Sequence, residues 1–127
     1  MPDVNVMQIE QFEDLPAPGV PAGLFRLAGK TLGVEGWGMN VLTLPPGWDR
    51  YPEHDHAEDG HEEVYVVLHG TATLHVGDHR FELAKGTFTR VGPNECRKIT
   101  PGPEGGTLLA LGGVPGKAYQ PSWGRSR

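Results

Sequence analysis

The sequence predicts an all-β fold of the sandwich, barrel or jelly-roll type. Short apolar runs alternate with turn residues, and 19 glycines and 12 prolines make up about a quarter of the 127 residues. Turn signals recur roughly every eight to twelve residues, which is typical of many short strands. No segment of about twelve residues shows the 3.6-residue apolar period of a helix, so we expect little or no helix.

The first half of the chain predicts two strands behind an extended arm. Residues 1–15 contain a weak strand, and the proline-rich segment 16–21 forms a stiff connector. Alternation within residues 24–32 predicts a strand. Residues 36–44 predict another strand, which Pro45-Pro46-Gly47 ends.

The second half of the chain contains the clearest strand patterns. The turn Gly77-Asp78 joins two apolar runs by a two-residue loop, which predicts a hairpin. Gly70 separates two further runs, and Gly92-Pro93-Asn94 ends another. Together these signals predict strands at residues 63–69, 71–76, 79–84, 87–91, 97–100 and 107–111.

Composition excludes several classes of protein. The longest strictly apolar run, residues 64–68, is far too short to cross a membrane. The net charge of −5 argues against a nucleic-acid partner. The single cysteine, Cys96, excludes an internal disulfide and a cysteine-built zinc site. No secretory signal is visible in residues 1–10, so we expect a cytoplasmic protein.

Residues 53–63 carry the candidate site, because almost all of them are acidic or histidine. His54 and His56 are two residues apart, so in an extended strand their imidazoles point to the same face. Converging imidazoles bind divalent transition metals, and Glu63 adds a carboxylate if the intervening loop folds back. His61 is a possible extra ligand, although an exposed loop position is expected for it.

Strand alternation extends the site beyond Glu63. Tyr65 lies two residues further on and should line the pocket, where its phenol can contact a ligand. Val64, Val66 and Leu68 then form an apolar outer face that needs a cover. We expect the N-terminal arm of the same chain or of a neighbour to cover this face.

The pattern resembles the first motif of the cupin family. Gly47 precedes the histidine pair, His54 and His56, and Glu63 follows it, while Gly70 ends the motif. The resemblance implies a double-stranded β-helix, also called a jelly roll, with a metal ion inside the barrel. It also favours a homodimer and a small-molecule ligand.

Residues 86–97 resemble the second cupin motif. The resemblance to the family as a whole covers roughly residues 37–111. Two departures affect the site. Six residues separate His56 from Glu63, where the family usually has three or four. In addition, Arg97 stands where the family has its fourth ligand, a histidine. Arginine stays protonated and has no lone pair for a metal.

The sequence leaves three arrangements of this site open. In the first, His54, His56 and Glu63 hold Fe, Mn, Zn, Ni or Cu, and Arg97 binds an anionic substrate. In the second, Arg97 pairs with Glu63, and the metal-free pocket belongs to a small-molecule binding or sensor protein. In the third, His61 replaces the missing ligand.

The resemblance implies one cupin domain over residues 1–127, with an arm at 1–22, a barrel at about 23–112 and a Gly/Pro-rich tail at 113–127. Residues 122–127 are expected to fray. The leading hypothesis is a metal-binding protein that binds or converts a small anionic metabolite. Whether it is an enzyme stays open, and a catalytic form would be dioxygenase- or isomerase-like.

Overall fold

Antiparallel strand pairing accounts for nearly all of the regular structure, as the sequence predicts. The computed structural model describes residues 2–15 and 17–119, which form one sheet of seven strands. The sheet order is β1-β2-β3-β7-β4-β5, and β6 also pairs with β4. The elements are β1 (Glu13–Asp14), β2 (Phe25–Leu27), α1 (Ala28–Leu32), β3 (Gly38–Leu44), β4 (Glu62–Val76), β5 (His79–Leu83), β6 (Phe88–Val91) and β7 (Lys98–Gly113), and a 3-10 turn spans Ile9–Gln11.

Two long strands, β4 and β7, form the centre of the sheet. Each joins two runs that the sequence predicts as separate strands, 63–69 with 71–76 and 97–100 with 107–111. The register between β4 and β7 shifts on both sides of Gly70, so the chain bends there without ending the strand. The first half of β4 pairs with β6 and the second half with β5, which rolls the sheet into the jelly roll.

The prediction of one strand over residues 24–32 is wrong in its second half. Only Phe25–Leu27 is extended, and Ala28–Leu32 forms the short helix α1. Gly33 ends this helix at φ 91°, and its N–H is bonded to the Gly29 carbonyl at 3.0 Å. Gly29 lies against the Met39 backbone, where a Cβ would be 3.2 Å from the Met39 nitrogen and oxygen, so glycine allows α1 to pack closely on β3.

The core follows the predicted alternation along β4 only in part. Tyr65 and Val67 are buried and Leu68 is exposed, as predicted, but Val66 of the predicted outer face is also buried. The N-terminal arm does not cover the outer face of its own chain, since Val4 and Val6 are themselves exposed. The core cluster comprises Leu24, Leu42, Leu44, Tyr51, Tyr65, Val67, Ala72, Leu74, Leu83, Val91, Ile99, Leu108 and Ala110.

The last strand ends close to the predicted end of the barrel, at about residue 112. Strand β7 ends at Gly113, and the expectation that residues 122–127 fray falls outside the described residues, as does Pro16 of the connector. The partition into arm, barrel and tail therefore stays a prediction. Within residues 2–15 and 17–119, no helix has the length and apolar character needed to cross a membrane.

The bend in β4 generates a stability prediction. Gly70 has φ 69°, and a Cβ there would overlap the Gly105 carbonyl oxygen, whereas Gly77 has φ 58° with open space around it. Gly70→Ala should lower the free energy of unfolding by about 3 kcal/mol or more. Gly77→Ala should lower it by about 1 kcal/mol, the cost of the backbone conformation alone. Urea denaturation measures both, and equal losses would contradict a close approach at Gly70.

Candidate metal centre

Backbone pairing places the two histidines at the site. The His54 N–H donates to the Arg97 carbonyl at 3.0 Å, and the Arg97 N–H donates to the His54 carbonyl at 2.8 Å. The His56 N–H donates to the Pro93 carbonyl at 2.9 Å. This extended segment aims both imidazoles at Glu63, near the start of β4. Donor atoms of His54, His56 and Glu63 all lie within 4.8 Å of one another, as the sequence predicts.

Hydrogen bonds at Nδ1 fix the orientation of both imidazoles. Nδ1 of His54 donates to the Pro52 carbonyl at 3.0 Å. Nδ1 of His56 donates to both oxygens of Asp59, each at 3.1 Å. The free Nε2 atoms therefore point toward Glu63 Oε1, at 3.8 Å for His54 and 3.3 Å for His56. A hydrogen bond at the far nitrogen is the usual support of a metal-binding imidazole.

The Glu63 carboxylate is the common contact of the site. The Tyr65 hydroxyl donates to Glu63 Oε1 at 2.6 Å, and the Arg97 guanidinium lies 3.4 Å from the same oxygen. Burial would raise the pKa of Glu63, but contacts with His54, His56 and Tyr65 outweigh it and hold this pKa well below its usual range. Glu63 is therefore a carboxylate at neutral pH.

The imidazole and the carboxylate face each other in a way that calls for a cation. Nε2 of His56 is buried and has no hydrogen-bond partner among the described residues. With Nδ1 donating to Asp59, this Nε2 is an acceptor that faces a second acceptor, the Glu63 carboxylate. Two acceptors in contact repel unless a proton or a metal ion lies between them. The Glu63 carboxylate accordingly raises the pKa of His56, although burial opposes the effect. The donor set fits a divalent transition metal.

Arg97 is fully buried, as expected for a side chain at the position of a cupin ligand. One guanidinium nitrogen donates to the Gly92 carbonyl at 2.8 Å. The nitrogen nearest Glu63 and Nε lack hydrogen-bond partners among the described residues. Arg97 and Tyr65 both contact Glu63 from the core side and are not part of the cavity wall, which differs from the expected ligand-facing positions.

The expectation that His61 is an exposed loop residue is wrong. His61 is 5% exposed, and its ring stacks on His56 with centroids 5.6 Å apart. Asp59 causes this burial, because it accepts the His61 N–H at 3.1 Å and bonds the His56 ring. His56, Asp59 and His61 form a second group of potential ligand atoms within 4.8 Å of one another.

Two residues that the sequence reasoning missed complete the site. Asp59 lies in the acidic loop between His56 and Glu63. In the sequence, only its spacing of three residues from His56 indicates the contact between these two side chains. Tyr51 lies beside His54, with ring centroids 5.6 Å apart, and is hydrogen-bonded to Tyr65. Burial raises the pKa of Tyr51 to about 12, so the phenol stays neutral.

A cavity of about 420 Å³ opens above the three donors. His54, His56, His61 and Glu63 line one end of it. Apolar side chains from the arm and from β2 and β3 line much of the remainder. The volume falls within the range of small-molecule sites, about 300–1,000 Å³.

The buried contact between Arg97 and Glu63 generates a stability prediction. Arg97→Met should lower the free energy of unfolding by about 3 kcal/mol, because it leaves the partly buried Glu63 carboxylate without its buried cation. Arg90→Met is a matched control. Arg90 of β6 forms an exposed ion pair, at 2.9 Å, with Glu62, the neighbour of Glu63 on β4. Its loss should cost about 0–1 kcal/mol. Similar losses in the two variants under urea denaturation would contradict a stabilising role for the buried pair.

Comparison with known proteins agrees with this geometry. The cupin domain model matches residues 40–109, more than half of the chain. A cupin protein from Bacteroides fragilis superposes with a TM-score of 0.70 at 19% identity, covering 98% of this chain and 96% of that one. A double-stranded β-helix protein from Klebsiella pneumoniae has a TM-score of 0.67 at 19% identity, with coverage of 91% and 94%.

A third structure adds a protein with a named activity. It comes from Acidithiobacillus ferrooxidans, is named as a sugar phosphate isomerase, and shares 25% identity with a TM-score of 0.56. The superposition covers 69% of this chain and 56% of that one. No curated protein matches the sequence. Because the cupin domain model covers more than half of the chain, and the jelly roll and the histidine–glutamate cluster agree with it, this protein belongs to the cupin family.

Proposed function

We propose that this cupin binds one divalent transition metal ion through His54, His56 and Glu63, and that the site binds a small anionic ligand. The observation that carries the proposal is the convergence of donor atoms from His54, His56 and Glu63, which all lie within 4.8 Å of one another. Two imidazoles and one carboxylate suit Fe, Mn, Zn, Ni or Cu. When bound, the ion would act as a Lewis acid toward a ligand oxygen.

The charges around the site favour an anion as the ligand. With a dication bound, the ion and Arg97 supply three positive charges against the two negative charges of Glu63 and Asp59. Arg97 contributes through Glu63, because its guanidinium lies 3.4 Å from that carboxylate and is buried. In the low-dielectric interior this excess attracts an anionic group more strongly than it would in water.

A metal-free binding protein is the second candidate. The contact between Arg97 and Glu63 supports it, because a buried guanidinium already balances the carboxylate. In that case the cavity would bind its ligand without a metal, as in a sensor protein.

A metal ion held by three protein ligands has further coordination positions at which a small molecule can bind. Such a site suits either a catalytic or a ligand-sensing role. The isomerase named above shares the fold, and we keep an isomerase-like or dioxygenase-like reaction as the catalytic form of this proposal.

We place the protein in the cytoplasm, because a single cysteine agrees with a reducing compartment.

Metal uptake tests the proposal directly. Purified protein dialysed against each candidate metal should retain about one ion per chain by elemental analysis, and His56→Gln should lose most of it, because one of three ligands is removed. Arg97→His should tighten metal binding by adding a fourth ligand. If the wild type takes up no metal and Arg97→His creates a site, the metal-free candidate is correct.

The hydrogen bond from His56 to Asp59 generates a second metal prediction. Asp59→Asn should weaken metal affinity by about 10- to 100-fold, because Nδ1 of His56 loses its carboxylate partner. Glu58→Gln removes the same charge from an exposed neighbour and should leave the affinity nearly unchanged. Competition titration with a chelator measures the metal affinity of both variants. Equal losses of affinity would show that Asp59 acts only through its charge.

We also propose that the protein is a homodimer. Phe88 is 73% exposed and Leu68 is 39% exposed on the outer side of the sheet, and the exposed arm of the same chain does not cover them. Exposed apolar residues of this size favour a protein interface. A second copy of the chain can bury them together with its own arm.

The dimer proposal predicts a mass and a variant. Light scattering at micromolar concentration should give twice the chain mass of 13.8 kDa. Phe88→Lys should shift the protein toward the monomer, because it would bury a charge in the interface. A monomeric wild type would refute the dimer without affecting the metal proposal.

A further inference from the structure

The cavity has a polar end and an apolar wall. The polar end carries the three metal-site donors and His61. Outside this end the lining is mainly apolar, although Asn40, Arg50, Trp48 and Tyr51 also belong to it. The apolar wall is made of six partly or fully buried side chains, which are Leu15, Val20, Leu24, Phe25, Leu27 and Leu42. The charge of the site favours an anion, and the division of the lining further limits which anions fit the cavity.

The apolar wall disfavours a hydroxylated ligand. Hydroxyl groups placed against leucine, valine and phenylalanine side chains would lose their hydrogen bonds to water. Polar side chains such as Asn40 and Arg50 could replace only a few of these bonds for a ligand with many hydroxyl groups. A hydrocarbon body in the same place would leave water favourably. A sugar phosphate, which the name of the isomerase suggests, therefore suits this wall less well than a ligand with an apolar body.

The polar end provides one further contact for a head group. Nε2 of His61 is buried, has no hydrogen-bond partner among the described residues, and belongs to a ring that lines the cavity. This nitrogen can donate a hydrogen bond to an anion bound beside Glu63. The stack on His56 fixes the ring in that position.

We propose that the cavity binds a small molecule with a single anionic head and a predominantly apolar body. The head lies at the metal-site end and accepts a hydrogen bond from His61. The body lies against the apolar wall, part of which comes from the arm residues Leu15 and Val20. The placement of the head rests on the proposed metal function, whereas the preference for an apolar body rests on the wall alone.

A pair of six-carbon acids tests the apolar body. Hexanoate and gluconate have the same chain length and charge and differ in the hydroxyl groups of gluconate. Calorimetry on the metal-replete protein should show binding of hexanoate and at least tenfold weaker binding of gluconate. Chelation of the metal by hydroxyl groups would favour gluconate, so the comparison is biased against the proposal. Gluconate binding as tight as that of hexanoate would overturn it.

A chain-length series strengthens the same test. From acetate through butanoate to hexanoate, affinity should rise by about fourfold for each methylene that the wall buries. An affinity that does not change with chain length would overturn the proposal.

Two variants locate the body and the head. Leu15→Ser changes the wall while the Leu15 N–H keeps its bond to the Phe25 carbonyl, and it should weaken hexanoate binding by about tenfold. Phe81→Ser removes an exposed apolar side chain outside this cavity and should leave hexanoate binding unchanged. Equal effects of the two variants would contradict the assignment of the wall.

His61→Gln tests the head. It should weaken hexanoate binding by about tenfold through loss of a hydrogen bond to a charged group. It should leave metal affinity within about threefold, because the three donors are intact. Unchanged hexanoate binding, or a tenfold loss of metal affinity, would overturn the assignment of His61 to the head group.

Metal content measured in the same samples separates this inference from the proposed function. If no metal binds, the proposed function fails, and the comparison of hexanoate with gluconate on the metal-free protein still decides the nature of the cavity. If metal binds and gluconate is preferred, the metal function stands and the apolar-ligand inference fails.

Discussion

One partly buried negative charge, the Glu63 carboxylate, determines how the interior of this barrel is arranged. A buried carboxylate is costly unless cations or donors surround it. Tyr65 donates to it from the core at 2.6 Å, Arg97 approaches it at 3.4 Å, and the two imidazoles of the motif converge on it. The burial of Arg97 makes sense only beside this charge.

Arginine in place of a ligand histidine changes the electrostatics of the site more than its shape. A histidine would be a neutral donor to the metal, whereas Arg97 is a permanent cation that competes with the metal for Glu63. This competition would weaken metal affinity and at the same time favour anions. Under the proposed function, arginine at this position would weaken the hold on the metal and strengthen the attraction for an anionic ligand.

Local patterns in the sequence predicted most of the fold and part of the site. The hairpin at Gly77-Asp78, the burial of Tyr65 and Val67, and the convergence of the two histidines on Glu63 were all predicted, because each depends on residues close in sequence. The helix Ala28–Leu32 was missed because it is too short to show a period. The burial of His61 was missed because it depends on Asp59, which loop spacing cannot place.

The backbone bridge between His54 and Arg97 has an evolutionary consequence. Both hydrogen bonds of this bridge come from main-chain groups, so the pairing that positions the histidine segment does not depend on which side chain residue 97 carries. The scaffold can thus exchange a ligand for a cation at this position without rebuilding the strand beside it. A barrel with this property can diversify its chemistry through single substitutions at one interior position while its architecture stays the same.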